Sequence, residues 1–289
     1  MAFLFSIVPI SMSNEYHPIG VFDSGYGGLT VLKEFMQYLP EYDFVYLGDN
    51  ARTPYGTRSF DVVYEYTLEA VNYLFDHGCH LVILACNTAS AKALRNIQQL
   101  DLPHMAPNRR VLGVIRPSIE AVSEMTKNGH VGVVATSGTV ASESYPIELE
   151  KWSNGKVKRT TQEACPMWVP IVENDVRETP GADYFIQTNL QSLFAKDPEI
   201  DSLILGCTHY PLLVDSIRKF IPKQGVSIIE QGKIVSEKLV DYLHRHPEID
   251  AVCSKRAGRK FYTTEEVHFF EARARQFLGY EIEAEKIEL

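Results

Sequence analysis

The sequence lacks any concentration of basic residues. Its 28 Lys and Arg are outnumbered by 37 Asp and Glu, giving a formal net charge of -9, and basic residues cluster only in pairs such as Arg109-Arg110. A nucleic-acid surface requires a basic patch or stripe that neutralises phosphates. We therefore expect no nucleic-acid partner, and we expect chemistry on a small molecule.

Cysteine is scarce and forms no framework. The five cysteines, at 79, 86, 165, 207 and 253, make no CxxC pair, and their odd number leaves at least one thiol free. Disulfide-rich folds and structural zinc sites need denser or more regular spacing. The pattern favours a reducing compartment and hence a cytoplasmic protein.

The chain also lacks a long apolar run. The opening segment MAFLFSIVPI is too short to cross a bilayer, contains Pro9 and has no Lys or Arg before its core. These features argue against a signal peptide or a membrane anchor. Because the residues that follow Met12 are polar, as is more usual at a start, we interpret residues 1–11 as either an upstream extension or the result of a mis-set initiation site. They belong to an N-terminal segment, 1–18, that precedes the first strand.

A nucleotide-binding motif is missing as well. The GYGG segment at 25–28 follows a strand, but Thr30 stands where a dinucleotide fingerprint needs its third glycine, and Asp23 would repel a pyrophosphate. No Walker A motif is present. The favoured interpretation of these glycines is a tight turn into the next helix.

Metal binding has no better support. His77, Cys79, His80 and Cys86 are close in sequence, but their spacing matches no standard zinc pattern. No second pair of ligands follows at a suitable interval. We therefore expect no metal site.

What the chain does contain is a regular alternation of strand-like and helical segments. The strand-like runs lie at 19–22, 44–47, 81–85, 111–115, 131–135, 202–206 and 226–229, and the segment 261–279 is typical of a strand followed by a helix. Amphipathic helical patterns lie between most of them, for example at 29–39, 60–76, 89–99 and 211–220. Such alternation favours an α/β fold with doubly wound, mostly parallel sheets.

The most informative feature is a motif that occurs twice. LVILACNT at 81–88 and SLILGCTH at 202–209 each join an apolar run to a small residue, a cysteine and polar residues that favour a turn or helix start. IGVFDSG at 19–25 and VGVVATSG at 131–138 form a second echo. The period of roughly 110 to 120 residues suits two similar α/β domains with the active site in the cleft between them.

Each copy of the motif places a cysteine at the carboxyl end of a strand, where open α/β sheets bind ligands. A single buried cysteine is usually structural, because free cysteine is among the most buried residue types. Recurrence with the same flanks instead favours function for both Cys86 and Cys207. The remaining cysteines lack this context and are expected to be structural.

Polar residues next to the cysteines are candidates for the same site. Thr88 and Thr208 are placed to hydrogen-bond at a helix N-terminus, where free N–H groups lower the pKa of a thiol. Asp23 directly follows a strand and is either a helix N-cap or a site carboxylate. His209, two residues after Cys207, is placed to orient or deprotonate that thiol.

Seven segments occur in a fixed order from about residue 19 onward: FDSGYGGLTV, YLGDNARTPYG, ACNTAS, GVIRPS, VATSGT, ACPMWVPIVE and GCTHYP. They resemble the glutamate racemases of the cofactor-independent aspartate/glutamate racemase family. The resemblance implies interconversion of L- and D-glutamate without pyridoxal phosphate or another cofactor, supplying D-glutamate for peptidoglycan. His209 favours glutamate over aspartate, because aspartate racemases tend to carry Glu at that position.

This chemistry explains why two thiols are needed. Loss of the α-proton leaves a planar carbanion that must be reprotonated on its opposite face, so a base and an acid flank the α-carbon. One cysteine must be a thiolate while the other is a thiol. A free thiol, with a pKa of about 8.5, suits either role near neutral pH.

The resemblance also implies roles for single residues. Cys86 takes the proton from D-glutamate with help from Asp23, whereas Cys207 takes it from L-glutamate with help from His209. Glu173 corresponds to an acidic position of the family motif whose role stays open. The expected substrate contacts are Asp23, Ser24, Pro54, Tyr55, Gly56, Asn87, Thr88, Thr136, Thr139, Glu173, Thr208 and His209.

By the same resemblance the chain leaves its first domain and later returns to it. Domain one is predicted to comprise 19–112 and 226–289, including Asp23 and Cys86, and domain two 113–225, including Cys207 and His209. The strand at 226–229 is taken as the return segment. A homodimer is common in the family, and the resemblance makes it the expected assembly.

Three other functions remain open from the sequence. An aspartate or other amino-acid racemase would use the same mechanism on a different substrate. A bilobal binding protein would bind its ligand without exchanging the α-hydrogen. A thiol hydrolase built on Cys207 and His209 would need only one cysteine.

Overall fold

The computed structural model of the chain describes residues 16–289. The predicted upstream extension, 1–11, and most of the segment 1–18 lie outside the described residues. The described strands are β1 (Ile19–Asp23), β2 (Phe44–Gly48), β3 (Leu81–Leu84), β4 (Arg110–Gly113), β5 (His130–Ala135), β6 (Arg159–Ala164), β7 (Ser202–Gly206), β8 (Ser227–Ile229), β9 (Arg259–Thr263) and β10 (Glu285–Lys286).

Helices connect these strands throughout the described chain. They are α1 (Gly28–Tyr38), α2 (Phe60–Asp76), α3 (Asn87–Lys92), α4 (Leu94–Asn96), α5 (Leu102–Met105), α6 (Ile115–Met125), α7 (Ser137–Ala141), α8 (Ser144–Trp152), α9 (Trp168–Glu173), α10 (Pro180–Lys196), α11 (Val214–Phe220), α12 (Gln231–Arg245), α13 (Pro247–Asp250) and α14 (Val267–Leu278). Short 3-10 turns lie at Asn50–Arg52, Tyr55–Thr57 and Tyr210–Leu213, and a π-helical turn at Ile97–Asp101. None of the helices within 16–289 is long and apolar enough to cross a membrane.

The strands form two separate parallel sheets. The first has the order β10-β9-β2-β1-β3-β4 and the second the order β6-β5-β7-β8. Every neighbouring pair in both sheets is parallel. The predicted α/β class with two mostly parallel sheets is confirmed.

Helices cover both faces of each sheet, and this explains the apolar runs. In β1, Val21 belongs to the core cluster that includes α1, whereas Phe22 belongs to the cluster that includes α2. In β7, Leu205 packs with residues of α10, and Ile204 packs with residues of α6 and α8. A strand that is buried on both faces is apolar throughout instead of alternating with polar residues.

Two details of the strand prediction are wrong. The run predicted as a strand at 111–115 leaves the sheet after Gly113, because Val114 already caps the start of α6. Strand β6, with the sequence RTTQEA, was not predicted at all. It pairs only with β5 at the edge of the second sheet and is mostly not buried, so it needs no apolar pattern.

The predicted return segment also lies in the other sheet. Strand β8 pairs with β7, with Leu203 opposite Ile228, so the segment 226–229 completes the second sheet and not the first. The chain turns back only at α12, which packs against α1 with Gly232 on Glu34. Sequence could not settle this, because an apolar strand fits the edge of either parallel sheet.

The glycines of the GYGG segment allow the start of α1 to pack closely against neighbouring residues. The predicted turn into α1 is present, with the Leu29 N–H donating to the Tyr26 carbonyl at 3.0 Å. Gly27 has a φ of -59°, and neither Gly25 nor Gly28 has a positive φ, so the turn does not need the conformational freedom of glycine. A Cβ on Gly27 would lie 2.2 Å from Thr208 Oγ1, and one on Gly28 would lie 2.5 Å from Asp23 Cβ. Glycine therefore lets α1 begin directly against the ends of β1 and β7.

This packing makes Gly27→Ala destabilising. We expect the added methyl group to lower the free energy of unfolding by about 1–3 kcal/mol, as for other overpacked interiors. Gly181→Ala is the matched control, since its Cβ would meet nothing nearer than Thr179 Oγ1 at 3.8 Å. The control should raise stability by up to about 1 kcal/mol in urea denaturation. Equal stability of the two variants would contradict the packing argument.

Candidate active site

Cys86 lies at the junction of β3 and α3. It is the N-cap residue of the helix, and its sulfur accepts a hydrogen bond from the Ala89 N–H at 3.4 Å. Ser24, directly after β1, places its hydroxyl 3.3 Å from the same sulfur. Two neighbouring strands thus meet at this thiol, as expected for the carboxyl edge of a parallel sheet.

Cys207 lies at the end of β7 in the second sheet. Its sulfur is 3.8 Å from His209 Nδ1, and His209 Nε2 is 3.0 Å from Glu173 Oε1. The imidazole also meets the ring of Phe277 edge to face, with centroids 5.7 Å apart. The three polar side chains form a chain from the buried thiol to the partly exposed carboxylate of Glu173, and this chain fixes the plane of the imidazole.

Asp23 joins the two halves of the site. One carboxylate oxygen accepts a hydrogen bond from the Gly25 N–H at 2.9 Å, and the other accepts from Thr208 Oγ1 at 3.3 Å. Burial raises the pKa of this carboxyl, while the charge of His209 and the N–H of Gly25 oppose the shift. The hydrogen bonds of Asp23 therefore reach toward Cys207, whereas its neighbour Ser24 contacts Cys86.

Cys86 is held in its protonated form. Burial and then the charge of Asp23 raise the pKa of its thiol to about 12, although Ser24 and the Ala89 N–H favour the thiolate. The expectation that a helix N-terminus lowers the pKa is wrong for this residue, because desolvation of the thiolate outweighs two hydrogen bonds. Near neutral pH Cys86 is an acid.

Cys207 has the opposite electrostatic environment. Burial alone would lower the pKa of His209, but its hydrogen bonds with Cys207 and Glu173 outweigh burial and raise the pKa to about 10. The imidazole is therefore cationic near neutral pH. The Cys207 sulfur therefore lies beside a cation, whereas the Cys86 sulfur lies near the carboxylate of Asp23. The two thiols thus differ in the charge of their neighbours.

Three threonine hydroxyls form a cluster between the sheets. Thr88 from α3 lies 2.9 Å from Thr136 and 3.2 Å from Thr139, and the latter two are 3.0 Å apart. Thr136 is the N-cap of α7 and accepts from the Thr139 N–H at 3.3 Å. Hydroxyls that bond to one another are donors that a carboxylate can recruit.

The loop that contains Pro54, Tyr55 and Gly56 reaches this cluster through one residue. A Cβ on Gly56 would lie 2.8 Å from Thr136 Cβ, so the loop backbone is packed against the start of α7. Tyr55 is buried and its hydroxyl donates to the Asp49 carboxylate, so only the backbone of this residue is left for a ligand. No side-chain hydrogen bond involves Pro54, which has no polar side-chain atom.

Asn87 takes part in a buried network that the sequence did not reveal. Its Nδ2 donates to Gln231 Oε1 at 2.6 Å, and its Oδ1 accepts from the Tyr145 hydroxyl at 2.7 Å. One N–H of Nδ2 remains for a substrate. Neither Gln231 nor Tyr145 belongs to a motif, and no pattern in the chain singled them out.

A cavity beside α3 does not contain the thiols. It has a volume of about 1030 Å³, and Lys92, Arg116, Trp152 and Tyr242 are among its lining residues. Both cysteines are absent from that lining. Within residues 16–289 no three His, Cys, Asp or Glu side chains are placed to hold a metal ion.

Known proteins share this sequence pattern and fold. The profile of the Asp/Glu/Hydantoin racemase family matches residues 29–238. A glutamate racemase from Persephonella marina is 39% identical over 272 residues, spanning 94% of this chain and 97% of the relative. Glutamate racemase isoform RacE1 from Bacillus anthracis superposes with a TM-score of 0.84 at 34% identity, over 94% and 98% of the two chains. The glutamate racemase from Francisella tularensis, solved in complex with D-glutamate, superposes with a TM-score of 0.82 at 31% identity. The match covers 94% of this chain and 97% of that chain.

The different charges beside the two thiols predict selective alkylation. Cys86 and Cys207 are each 6% exposed, so access does not distinguish them. Because iodoacetamide reacts with thiolates, we expect Cys207 to be modified at least about tenfold faster than Cys86 at neutral pH. Mass spectrometry of the digested protein measures both rates. His209→Asn should remove most of the advantage of Cys207, and equal rates in the unsubstituted protein would show that the assigned charges are wrong.

Proposed function

Because the chain belongs to the Asp/Glu/Hydantoin racemase family, we propose that Cys86 and Cys207 racemise glutamate by transferring protons on opposite faces of its α-carbon. The enzyme is an amino-acid racemase, and its reaction is the interconversion of L- and D-glutamate. The observation that supports the two-thiol mechanism is the opposite charge beside two thiols at the ends of β3 and β7. Burial and the charge of Asp23 raise the pKa of Cys86, and the imidazolium of His209 lies 3.8 Å from the sulfur of Cys207.

With L-glutamate, the Cys207 thiolate removes the α-proton and becomes a thiol. The remaining carbanion is planar, and Cys86 donates its S–H proton to the opposite face to give D-glutamate. Cys86 is then the thiolate, and its high pKa makes it a strong base for the reverse reaction. Protons balance in both directions without a further reactant.

The neighbouring side chains tune these two steps. The imidazolium of His209 supports the thiolate of Cys207, and Glu173 supports that imidazolium through its 3.0 Å contact. The charge of Asp23 keeps the proton on Cys86 until substrate arrives. Glu173 therefore has a role on the L-glutamate side of the reaction.

Hydroxyl groups are the proposed partners of the substrate carboxylates. The cluster of Thr88, Thr136 and Thr139 offers three adjacent donors contributed by both sheets. Ser24, Asn87, Thr208 and the backbone of 54–56 complete the proposed contacts around the two thiols. Closing the cleft over glutamate would exclude water and strengthen each of these hydrogen bonds.

The biological setting follows from the reaction. D-glutamate made by this enzyme supplies peptidoglycan synthesis. All five cysteines are free, which supports the proposed cytoplasmic location. A homodimer is proposed from the resemblance alone.

Incubation of L-glutamate with the enzyme in deuterated water tests this function. We expect deuterium at the α-carbon of the D-glutamate formed. Cys86→Ser and Cys207→Ser should each lower the racemisation rate by about 10²- to 10⁴-fold, because each removes one acid–base group. Cys253→Ser is the matched control, since Cys253 is also 6% exposed but lies away from the site. NMR and polarimetry measure exchange and inversion.

Each alternative gives a different result in that assay. Racemisation of aspartate in preference to glutamate would support another amino-acid racemase. Glutamate binding without exchange of the α-hydrogen would identify a binding protein. A Cys86→Ser variant that keeps its activity would exclude the two-thiol mechanism and favour a single-cysteine enzyme.

The Glu173 carboxylate should set the upper pH limit of activity. His209 has its pKa raised to about 10 partly by Glu173, so Glu173→Gln lowers that pKa and the imidazolium is lost at a lower pH. Racemisation of L-glutamate by the variant should therefore fall more in mildly alkaline solution than at neutral pH. Glu163→Gln is the control, because Glu163 pairs with Lys196 at 2.6 Å and not with the site. Parallel pH–rate profiles for all three proteins would contradict this role.

A further inference from the structure

Four polar side chains are buried together behind the two cysteine motifs. Asn87, Ser118, Tyr145 and Gln231 are at most 3% exposed, and they come from α3, α6, α8 and α12. Gln231 Nε2 donates to Ser118 Oγ at 2.8 Å and to the Tyr145 hydroxyl at 2.9 Å. The same hydroxyl donates to Asn87 Oδ1, and Asn87 donates back to Gln231. We call this set the Gln231 network.

Each amide of the Gln231 network is held by hydrogen bonds at both its oxygen and its nitrogen. The Tyr145 hydroxyl accepts from Gln231 and donates to Asn87. The amide oxygen of Gln231 accepts from Asn87 and its nitrogen donates to Tyr145 and Ser118, so neither amide can flip alone without breaking at least two bonds. Buried side chains that are linked by several hydrogen bonds hold one another in place.

The location of Tyr145 links this rigidity to both thiols. Its hydroxyl bonds to Asn87, the residue directly after Cys86. The edge of its ring packs on Gly206, the residue directly before Cys207, where an added Cβ would lie 3.1 Å from Tyr145 Cε2. One side chain therefore touches both copies of the cysteine motif.

We propose that Tyr145 and Gln231 are positioning residues that set the separation of Cys86 and Cys207 across the substrate. The proposal rests on the two-thiol function, since only a reaction at two faces of one carbon needs that separation fixed. Neither side chain is required to touch glutamate. They act through Asn87 on one side and Gly206 on the other.

Ser118→Ala and Ser123→Ala provide a matched pair of variants. Both serines lie buried in α6, and each donates to the carbonyl four residues earlier, Val114 or Ile119. Only Ser118 also accepts from Gln231. A difference between the two variants therefore reports on the network and not on the loss of a buried hydroxyl from this helix.

Tyr145→Phe is the decisive variant, because it removes the bridging hydroxyl and keeps the ring on Gly206. We expect kcat for glutamate to fall about tenfold or more, since small misplacements of reacting groups have effects of this size. KM should change little, and the primary isotope effect with α-deuterated glutamate should rise because proton transfer becomes slower. Ser118→Ala should show the same changes more weakly, and Ser123→Ala should show none.

Gln231→Met tests whether the residues act as a unit. If both act through Asn87, the double variant Tyr145→Phe/Gln231→Met should be little slower than the slower single variant. Additive losses would mean that the two residues act separately and would overturn the network. If Tyr145→Phe yielded less folded protein but left KM and the isotope effect unchanged, Tyr145 would have only a structural role. That result would also overturn the proposal.

Iodoacetamide labelling separates this proposal from the proposed function. Loosening of the Cys86–Asn87 turn should increase the alkylation rate of Cys86 several-fold in Tyr145→Phe and leave it unchanged in Ser123→Ala. This readout does not require turnover. If the unsubstituted protein failed to racemise glutamate, the function would be wrong while labelling would still test the network. Unchanged labelling in Tyr145→Phe would overturn the positioning role.

Discussion

A planar carbanion has two faces, and the edge of one sheet can approach only one of them. Two acid–base groups on opposite faces therefore require two sheets whose carboxyl edges face a common cleft. The chain meets this constraint with two parallel sheets, each ending a central strand in a cysteine. Most other features of the molecule follow from holding those edges together. Glycine at 27 and 28, for example, allows α1 to pack against the ends of strands from both sheets.

The two thiols also have to differ, and the structure creates that difference after the strands end. Cys86 enters an α-helix and is buried beside Asp23, which keeps it protonated. Cys207 is followed by a turn into the 3-10 helix Tyr210–Leu213, and His209, the N-cap of that helix, lies 3.8 Å from the sulfur. The two strands are equivalent, but the segments that follow them are not. The duplicated motif therefore determines where each cysteine lies, and the residues beside it determine the charge near each sulfur.

Sequence revealed the parts of the fold that rest on local pattern. Buried central strands such as β1 and β7 are continuous apolar runs, and the paired cysteine motifs predicted the location of the proposed site. Strand β6 was not predicted because an edge strand needs no apolar face. Strand β8 was assigned to the wrong sheet because strand pairing depends on residues that are distant in sequence. The charge state of Cys86 depends on burial by residues distant in sequence. The contacts of Gln231 and Tyr145 could not be predicted for the same reason, since a buried hydrogen-bond network has no local sequence pattern.

The Gln231 network lies where the chain passes between the sheets. Gln231 begins α12, on the way back to the first sheet, and its Nε2 is 3.4 Å from the carbonyl oxygen of Val114, where the chain leaves that sheet. If two domains rotate about the two segments that connect them, the side chains beside those segments are displaced least. A network at this point is placed to hold the two thiol motifs at a fixed separation. The path of the chain thus brings the proposed positioning residues to the two places where it crosses between the sheets.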